Sequence, residues 1–151
     1  MEYLEYTAFT KADRALAWKL FSDFRFWPAF SDVYGPIGWT KGQPWTPGSR
    51  LRIEIVRPVK AIVDHVITIC SPGEQVAWID HFLGNTMVQW VTFESLPDGG
   101  TRVHTWAEVT GSTTVVDGYE CSDFLRSFMR RWYDSFCSAC DQLAEGQMVG
   151  I

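Results

Sequence analysis

The chain has 151 residues, of which 46% are hydrophobic and 21% charged, with a net charge of -5. That is enough for one domain with a real core, residues 1–151, and too little for two. Its 13 Lys and Arg gather into no long run, which argues against a nucleic-acid surface. No apolar segment reaches the ~20 residues that span a bilayer, and Met1-Glu2-Tyr3-Leu4-Glu5 lacks the basic and apolar parts of a signal peptide. A cytoplasmic protein without stable membrane insertion is predicted, with Cys70, Cys121, Cys137 and Cys140 as reduced thiols. Aromatics reach 15%, including 8 Trp and 10 Phe, so either a lined cavity or a solid aromatic core must accommodate them.

Glu2 to Phe9 alternates as a first strand. Thr10-Lys11-Ala12-Asp13 has the form of a capping box opening a helix that runs to about Asp23. Phe24 to Phe30 continues as a second short turn, because Pro28 cannot extend the first helix. Between Gly35 and Gly48, five Gly and Pro residues surround Trp39 and Trp45, which reads as a strand remnant and an irregular loop. The two Trp either fold back onto the core or guard a cavity mouth. From Ser49 the period becomes two, and Leu51, Ile53 and Ile55 alternate with Arg50, Arg52 and Glu54. Val59 to Cys70, Gln75 to Leu83, Thr86 to Leu96 and Thr101 to Val109 continue the strands. Ser71-Pro72-Gly73-Glu74 and Pro97-Asp98-Gly99-Gly100 supply the turns. Gly111 and Thr113-Thr114 end the sheet, and Asp117-x-x-Glu120 offers a second cap.

A Gly-free stretch from Tyr119 to Glu145 then carries Phe124, Phe128, Trp132, Phe136 and Cys140 at every fourth position. That step drifts by about 40° per turn, giving a broad aromatic stripe that needs a wide partner. Arg126, Ser127, Arg130, Arg131, Asp134 and Ser138 fall largely elsewhere on the wheel. Cys137-x-x-Cys140 lies inside the helix with no second pair, so packing accounts for it. The order is β, α, α, about six strands, then α. An α+β fold follows, in which a curved antiparallel sheet wraps the long C-terminal helix and two short helices after the first strand plug one side.

In this arrangement the chain resembles the START-like (SRPBCC) helix-grip superfamily, which includes polyketide cyclases, pollen allergens and lipid-transfer domains. Ala17 to Pro28, Ser71 to Trp78 and Asp98 to Val103 carry the likeness, which extends over nearly the whole chain and looks most like the polyketide cyclase/dehydrase subgroup. The resemblance implies a space between sheet and helix that holds apolar or aromatic ligands. No catalytic motif of a particular enzyme in the group stands in the sequence.

Around Pro72-Gly73, a symmetric hairpin pairs residues whose numbers sum to 145. Ile69 then faces Val76, Ile67 faces Trp78, His65 faces Asp80 and Val63 faces Phe82, all on the more apolar and therefore inward face. The other face pairs Cys70 with Gln75, Thr68 with Ala77, Val66 with Ile79, and Asp64 with His81. A carboxylate beside an imidazole fixes its tautomer, so His65 and Asp80 are the candidate general base or ligand hydrogen-bonding couple; a cross-strand bond that satisfies two polar groups is the plainer alternative. A bulge would shift this register by one and dissolve the pair.

On the next hairpin Met87, Gln89, Val91 and Phe93 point inward against Val103, Thr105, Ala107 and Val109. Outside, Glu94 is expected opposite His104 and Thr92 opposite Trp106, while Val88, Trp90 and Trp106 offer a candidate homodimer contact. The expected ligand-binding residues are Phe24, Trp27, Trp39, Trp78, Phe82, Met87, Gln89, Thr105, Phe128 and Trp132. Alternation separates His65 from His81 and His104, so no metal site is expected, and no cofactor. Three functions remain open: binding or transport of an apolar or aromatic small molecule, a cyclase/aromatase-like enzyme in which His65 backed by Asp80 removes a proton, and a protein-interaction module of the chaperone-activator type.

Overall fold

The computed structural model describes residues 1–82, 84–111, 115–116 and 118–146. Strand β1 (Glu2–Thr10) leads to helix α1 (Arg14–Ser22) and a 3-10 turn (Phe24–Ala29). Strands β2 (Tyr34–Lys41), β3 (Arg50–Ile55), β4 (Ala61–Ser71), β5 (Gln75–Phe82), β6 (Asn85–Ser95) and β7 (Thr101–Gly111) follow. A two-residue ladder of β8 (Val115–Val116) and β9 (Tyr119–Glu120) precedes helix α2 (Cys121–Ala144). The seven long strands form one curved antiparallel sheet in the order β1-β7-β6-β5-β4-β3-β2. The expected α+β architecture is present: the sheet holds α2, with the short helices after β1.

Local chemistry sets the helix boundaries. Asp13, not Thr10, caps α1: its carboxylate accepts from the Leu16 amide at 2.8 Å. Thr10 instead accepts from the Ala12 amide at 3.1 Å and donates to Asp141 at 2.6 Å, tying the end of β1 to α2. Asp23 accepts from the Arg25 amide and starts the 3-10 turn, which contains Pro28. Glu120 precedes α2 without a side-chain capping bond. Leu83, Thr113, Thr114 and Asp117, which the sequence reading used, lie outside the described residues.

The segment expected as a strand remnant is the eight-residue edge strand β2. Its pairing with β3 shifts register between Tyr34 and Ile37 and again between Trp39 and Lys41. The end of a sheet tolerates Pro36 because an edge strand need not donate on its open side.

The hairpin of β4 and β5 follows the expected register only at its far end. Val66 faces Ile79 and Ile67 faces Trp78, but then an extra residue enters β4, and Ile69 faces Ala77 while Cys70 faces Val76. The bulge reverses the faces of the loop-side residues. Ile69, expected inside, is 42% exposed, and Cys70 packs on the core in its place. The frame beyond Ile67 is untouched, so His65 and Asp80 remain neighbours. Asp64 and His81 do not pair: Arg52 holds Asp64 at 3.1 Å, and His81 lies 3.1 Å from the Thr86 hydroxyl.

Between β6 and β7 the inward residues are those expected, with Met87 opposite Val109 and Phe93 opposite Val103. Outside, Glu94 faces Arg102 and Thr92 faces His104, while Trp90 faces Trp106. The displacement is two residues, an even step that preserves the faces. Gly100 is needed here for close approach, because a Cβ on it would stand 2.6 Å from the Thr10 carbonyl oxygen on the neighbouring chain segment.

Helix α2 has two distinct halves. Toward its C-terminus, Phe136, Cys137, Ala139 and Cys140 are almost wholly buried. Burial pushes the Cys137 thiol up to about 12 and raises that of Cys140 as well, consistent with packing rather than reactivity. Asp134 accepts from the Tyr6 hydroxyl at 2.5 Å, and Asp141 accepts from the Lys11 amide at 2.7 Å. The N-terminal half instead faces the hollow of the sheet.

Candidate functional site

That hollow contains a cavity of about 130 Å³. One wall is the inner face of β3 to β6, through Ile53, Val63, His65, Trp78, Asp80 and Gln89; the opposite wall is α2, through Phe124, Leu125, Phe128, Met129, Trp132 and Tyr133. Phe21 of α1 and Trp27 of the 3-10 turn close one end. Pro58, Phe128 and Trp132 also border an outer groove containing Asp32, Arg57 and Arg131, so these three residues stand between cavity and surface.

Of the residues expected at the site, His65, Asp80, Trp27, Trp78, Phe82, Met87, Gln89, Phe128 and Trp132 line the cavity together. Phe24, Trp39 and Thr105 do not. Phe24 packs edge-on to Trp27, and Trp39 stands behind Trp45 at a ring distance of 5.2 Å. Thr105 is fully buried, donating to the Trp90 carbonyl at 2.8 Å beneath Gln89. Trp45 rather than Trp39 reaches the wall. Its backbone has φ 62°, uncommon for a bulky residue, and its indole nitrogen donates to the Ser22 carbonyl at 2.7 Å.

Three polar groups give the apolar cavity chemical direction. Asp80 has a fully buried side chain; its Oδ2 accepts from the Trp78 indole nitrogen at 3.2 Å and lies 3.1 Å from His65 Nδ1. The His65 ring stacks on Trp78 with centroids 4.7 Å apart. Its nitrogen approaches the carboxylate at ion-pair distance without the alignment of a hydrogen bond, and both His65 Nδ1 and Asp80 Oδ1 are buried without a hydrogen-bond partner. Gln89 donates through Nε2 to Thr105 Oγ1 at 2.9 Å and to the Tyr133 hydroxyl at 3.3 Å. Because the Thr105 hydroxyl gives its own proton to Trp90, its oxygen must accept, which fixes the Gln89 amide with nitrogen toward Thr105.

Tyr34 and Tyr133 are lining residues that the sequence reading missed. Tyr133 belongs to a second four-residue stripe, Leu125-Met129-Tyr133-Cys137, beside the first one on α2; its spacing was readable in the sequence. Tyr34 precedes Gly35-Pro36 and carries no such periodic signal. Its hydroxyl accepts from the Trp132 indole nitrogen at 2.5 Å.

Burial raises both phenols well above their ordinary value of 10.0. Above pH about 10 the unfolded chain releases these protons while the folded chain keeps them, so stability is retained below that pH and falls as pH rises through it. Urea unfolding followed across the alkaline range is expected to show this decline, with Tyr133→Phe reducing its slope. Ionisation of both buried phenols near pH 10 with the native fold intact would contradict the assignment.

No protein-family model matches the chain, and no curated protein is similar to it in sequence. Solved structures are similar in fold. The hypothetical protein jhp0584 from Helicobacter pylori superimposes with a TM-score of 0.75 at 12% identity, covering 92% of this chain and 88% of its own. Ara h 8.0201 gives 0.74 at 11% identity, covering 92% and 97%, and a START superfamily protein from Mycobacterium smegmatis gives 0.71 at 11%, covering 97% and 99%. The chain therefore has the START-like helix-grip fold. Among its described residues, no helix is long and apolar enough to cross a membrane.

Proposed function

We propose that this protein binds an apolar or aromatic small molecule in the cavity between sheet and α2, as a carrier or receptor. The supporting observation is the cavity of about 130 Å³ whose wall is almost wholly aromatic and aliphatic, with a few convergent polar groups at one side. The four free thiols fit a reducing, cytoplasmic setting. Titration with the neutral fluorescent probe N-phenylnaphthylamine tests the reading. Saturable enhancement at one probe per chain is expected; no enhancement, together with no small molecule retained in native mass spectrometry, would overturn it.

A second reading, as a cyclase-like enzyme, draws support from the 3.1 Å approach of His65 to Asp80 on the cavity wall. In that case His65 would take a proton from carbon beside a ligand carbonyl, and Asp80 would stabilise the imidazolium formed. Turnover of a polyketone substrate that His65→Ala abolishes, with probe binding intact, would establish it.

A further inference from the structure

The polar side of the cavity holds donors, the His65 imidazole and the Tyr34 and Tyr133 hydroxyls, and acceptors, of which Asp80 is the one left short of a partner. Asp80 Oδ1 is buried on the wall and has no hydrogen-bond partner among the described residues, although the other oxygen of the same carboxylate is engaged by Trp78. A buried polar atom left without a partner is costly, and native structures leave few of them. Diagonally across the strand pair stands Gln89: Trp78 faces Gln89, and Asp80 faces Met87. Both hydrogens of the Gln89 amide nitrogen go to Thr105 and Tyr133, so what Gln89 has left to offer is its carbonyl oxygen.

The hydroxyls of Tyr34 and Tyr133 accept from Trp132 and Gln89 and keep their own protons to donate, so they meet acceptor groups of a ligand while Asp80 meets a donor. Among the described residues no Lys or Arg lines the cavity, and His65 is its basic side chain. Arg57 and Arg131 stand in the outer groove with Asp32, and their charge acts at the mouth rather than at the buried end.

We infer that the occupant of this cavity is an apolar ring or chain bearing a hydroxyl or amino group that donates to Asp80 Oδ1. The inference rests on the binding reading above and adds the chemical class of the ligand. A donor meeting Oδ1 satisfies the orphaned oxygen, whereas an ether or a carboxylate brings no hydrogen and leaves it buried and unpaired. An alcohol and an amine share the donor and differ in charge, so they must be compared separately.

Calorimetric titration of the full chain near neutral pH with four matched probes tests this: naphthol, naphthylmethylamine, methoxynaphthalene and naphthoate. Naphthol or naphthylmethylamine, or both, are expected to bind at least about tenfold more tightly than methoxynaphthalene and naphthoate. Preference for the amine assigns an ammonium ligand; preference for naphthol assigns a hydroxyl. Asp80→Asn keeps the shape and removes the charge, and is expected to abolish a preference for the amine while retaining part of one for naphthol. Asp80→Leu is expected to bring methoxynaphthalene level with naphthol. Equal binding of all four probes by the natural chain, or tighter binding of naphthoate, overturns the inference and leaves the binding reading standing. Failure of all four to bind while N-phenylnaphthylamine still responds overturns the inference alone, and failure with no response to N-phenylnaphthylamine either overturns both. The ranking in the unmodified protein decides the matter even if the Asp80 variants do not fold.

Discussion

Phe21→Ala is expected to lower the melting temperature by roughly 10 °C, the consequence of about 3–5 kcal/mol lost at a central ring in a domain of this size. Phe21 is 2% exposed and joins the short helix α1 to the sheet and to α2. Its ring lies 5.3 Å from that of Phe93 on the sheet, 5.8 Å from Phe136 and 6.0 Å from Trp132 on α2, and 6.3 Å from Trp78. Most of these contacts are edge-on, the geometry aromatic quadrupoles favour. Since Phe21 also closes one end of the cavity, truncation joins new empty volume to the old. Calorimetric melting checks the effect. A shift below about 3 °C would mean that α1 is a replaceable plug rather than the keystone of the core.

Met129→Trp is expected to weaken binding of N-phenylnaphthylamine by at least about tenfold while changing the melting temperature by no more than roughly 4 °C. Met129 is 5% exposed on α2 and lines the cavity, so a larger flat side chain has hollow space to enter rather than packed neighbours to displace. In a solid core the same substitution would cost about 1–3 kcal/mol through overpacking. The two readouts therefore distinguish a functional hollow from a filled interior. Unchanged probe binding would place the probe elsewhere, and a large loss of stability would show that the space cannot take the indole.

The succession of strands along the chain and most of their inward faces were legible in the sequence because a period of two survives any even slip between strands. The pairing of β6 with β7 illustrates this: Glu94 meets Arg102 rather than His104, yet Gln89 and Thr105 still point inward. An odd slip is different. The bulge in β4 turned Ile69 outward, and nothing in Ile67-Thr68-Ile69-Cys70 announces it, since all four residues suit either face. His65 and Asp80 kept their relation because they lie on the far side of that extra residue. Thr105 was read correctly as inward but sits beneath Gln89, a matter of depth that alternation cannot resolve. Trp39 and Trp45 could be assigned to the neighbourhood of the cavity, but which indole reached it depended on a left-handed backbone at Trp45, where sequence preference would have placed glycine or asparagine. The aromatic stripe on α2 was legible from spacing alone. The second stripe, carrying Met129 and Tyr133, obeyed the same rule one residue further along.

The unequal anchoring of α2 bears on how a guest can be received. Asp134, Asp141 and Glu145 fasten the C-terminal half to Tyr6, Thr10 and Lys11, whereas Phe124 to Trp132 rest over open volume. That first half is held by aromatic contacts, Phe124 on Phe82 and Trp132 against Phe21 and Trp27, with few polar ties such as the bond from Trp132 to Tyr34. On the binding proposed above, a guest would meet the helix along its apolar first half, where side chains slide past one another without breaking directional bonds, and leave the polar joint with β1 untouched.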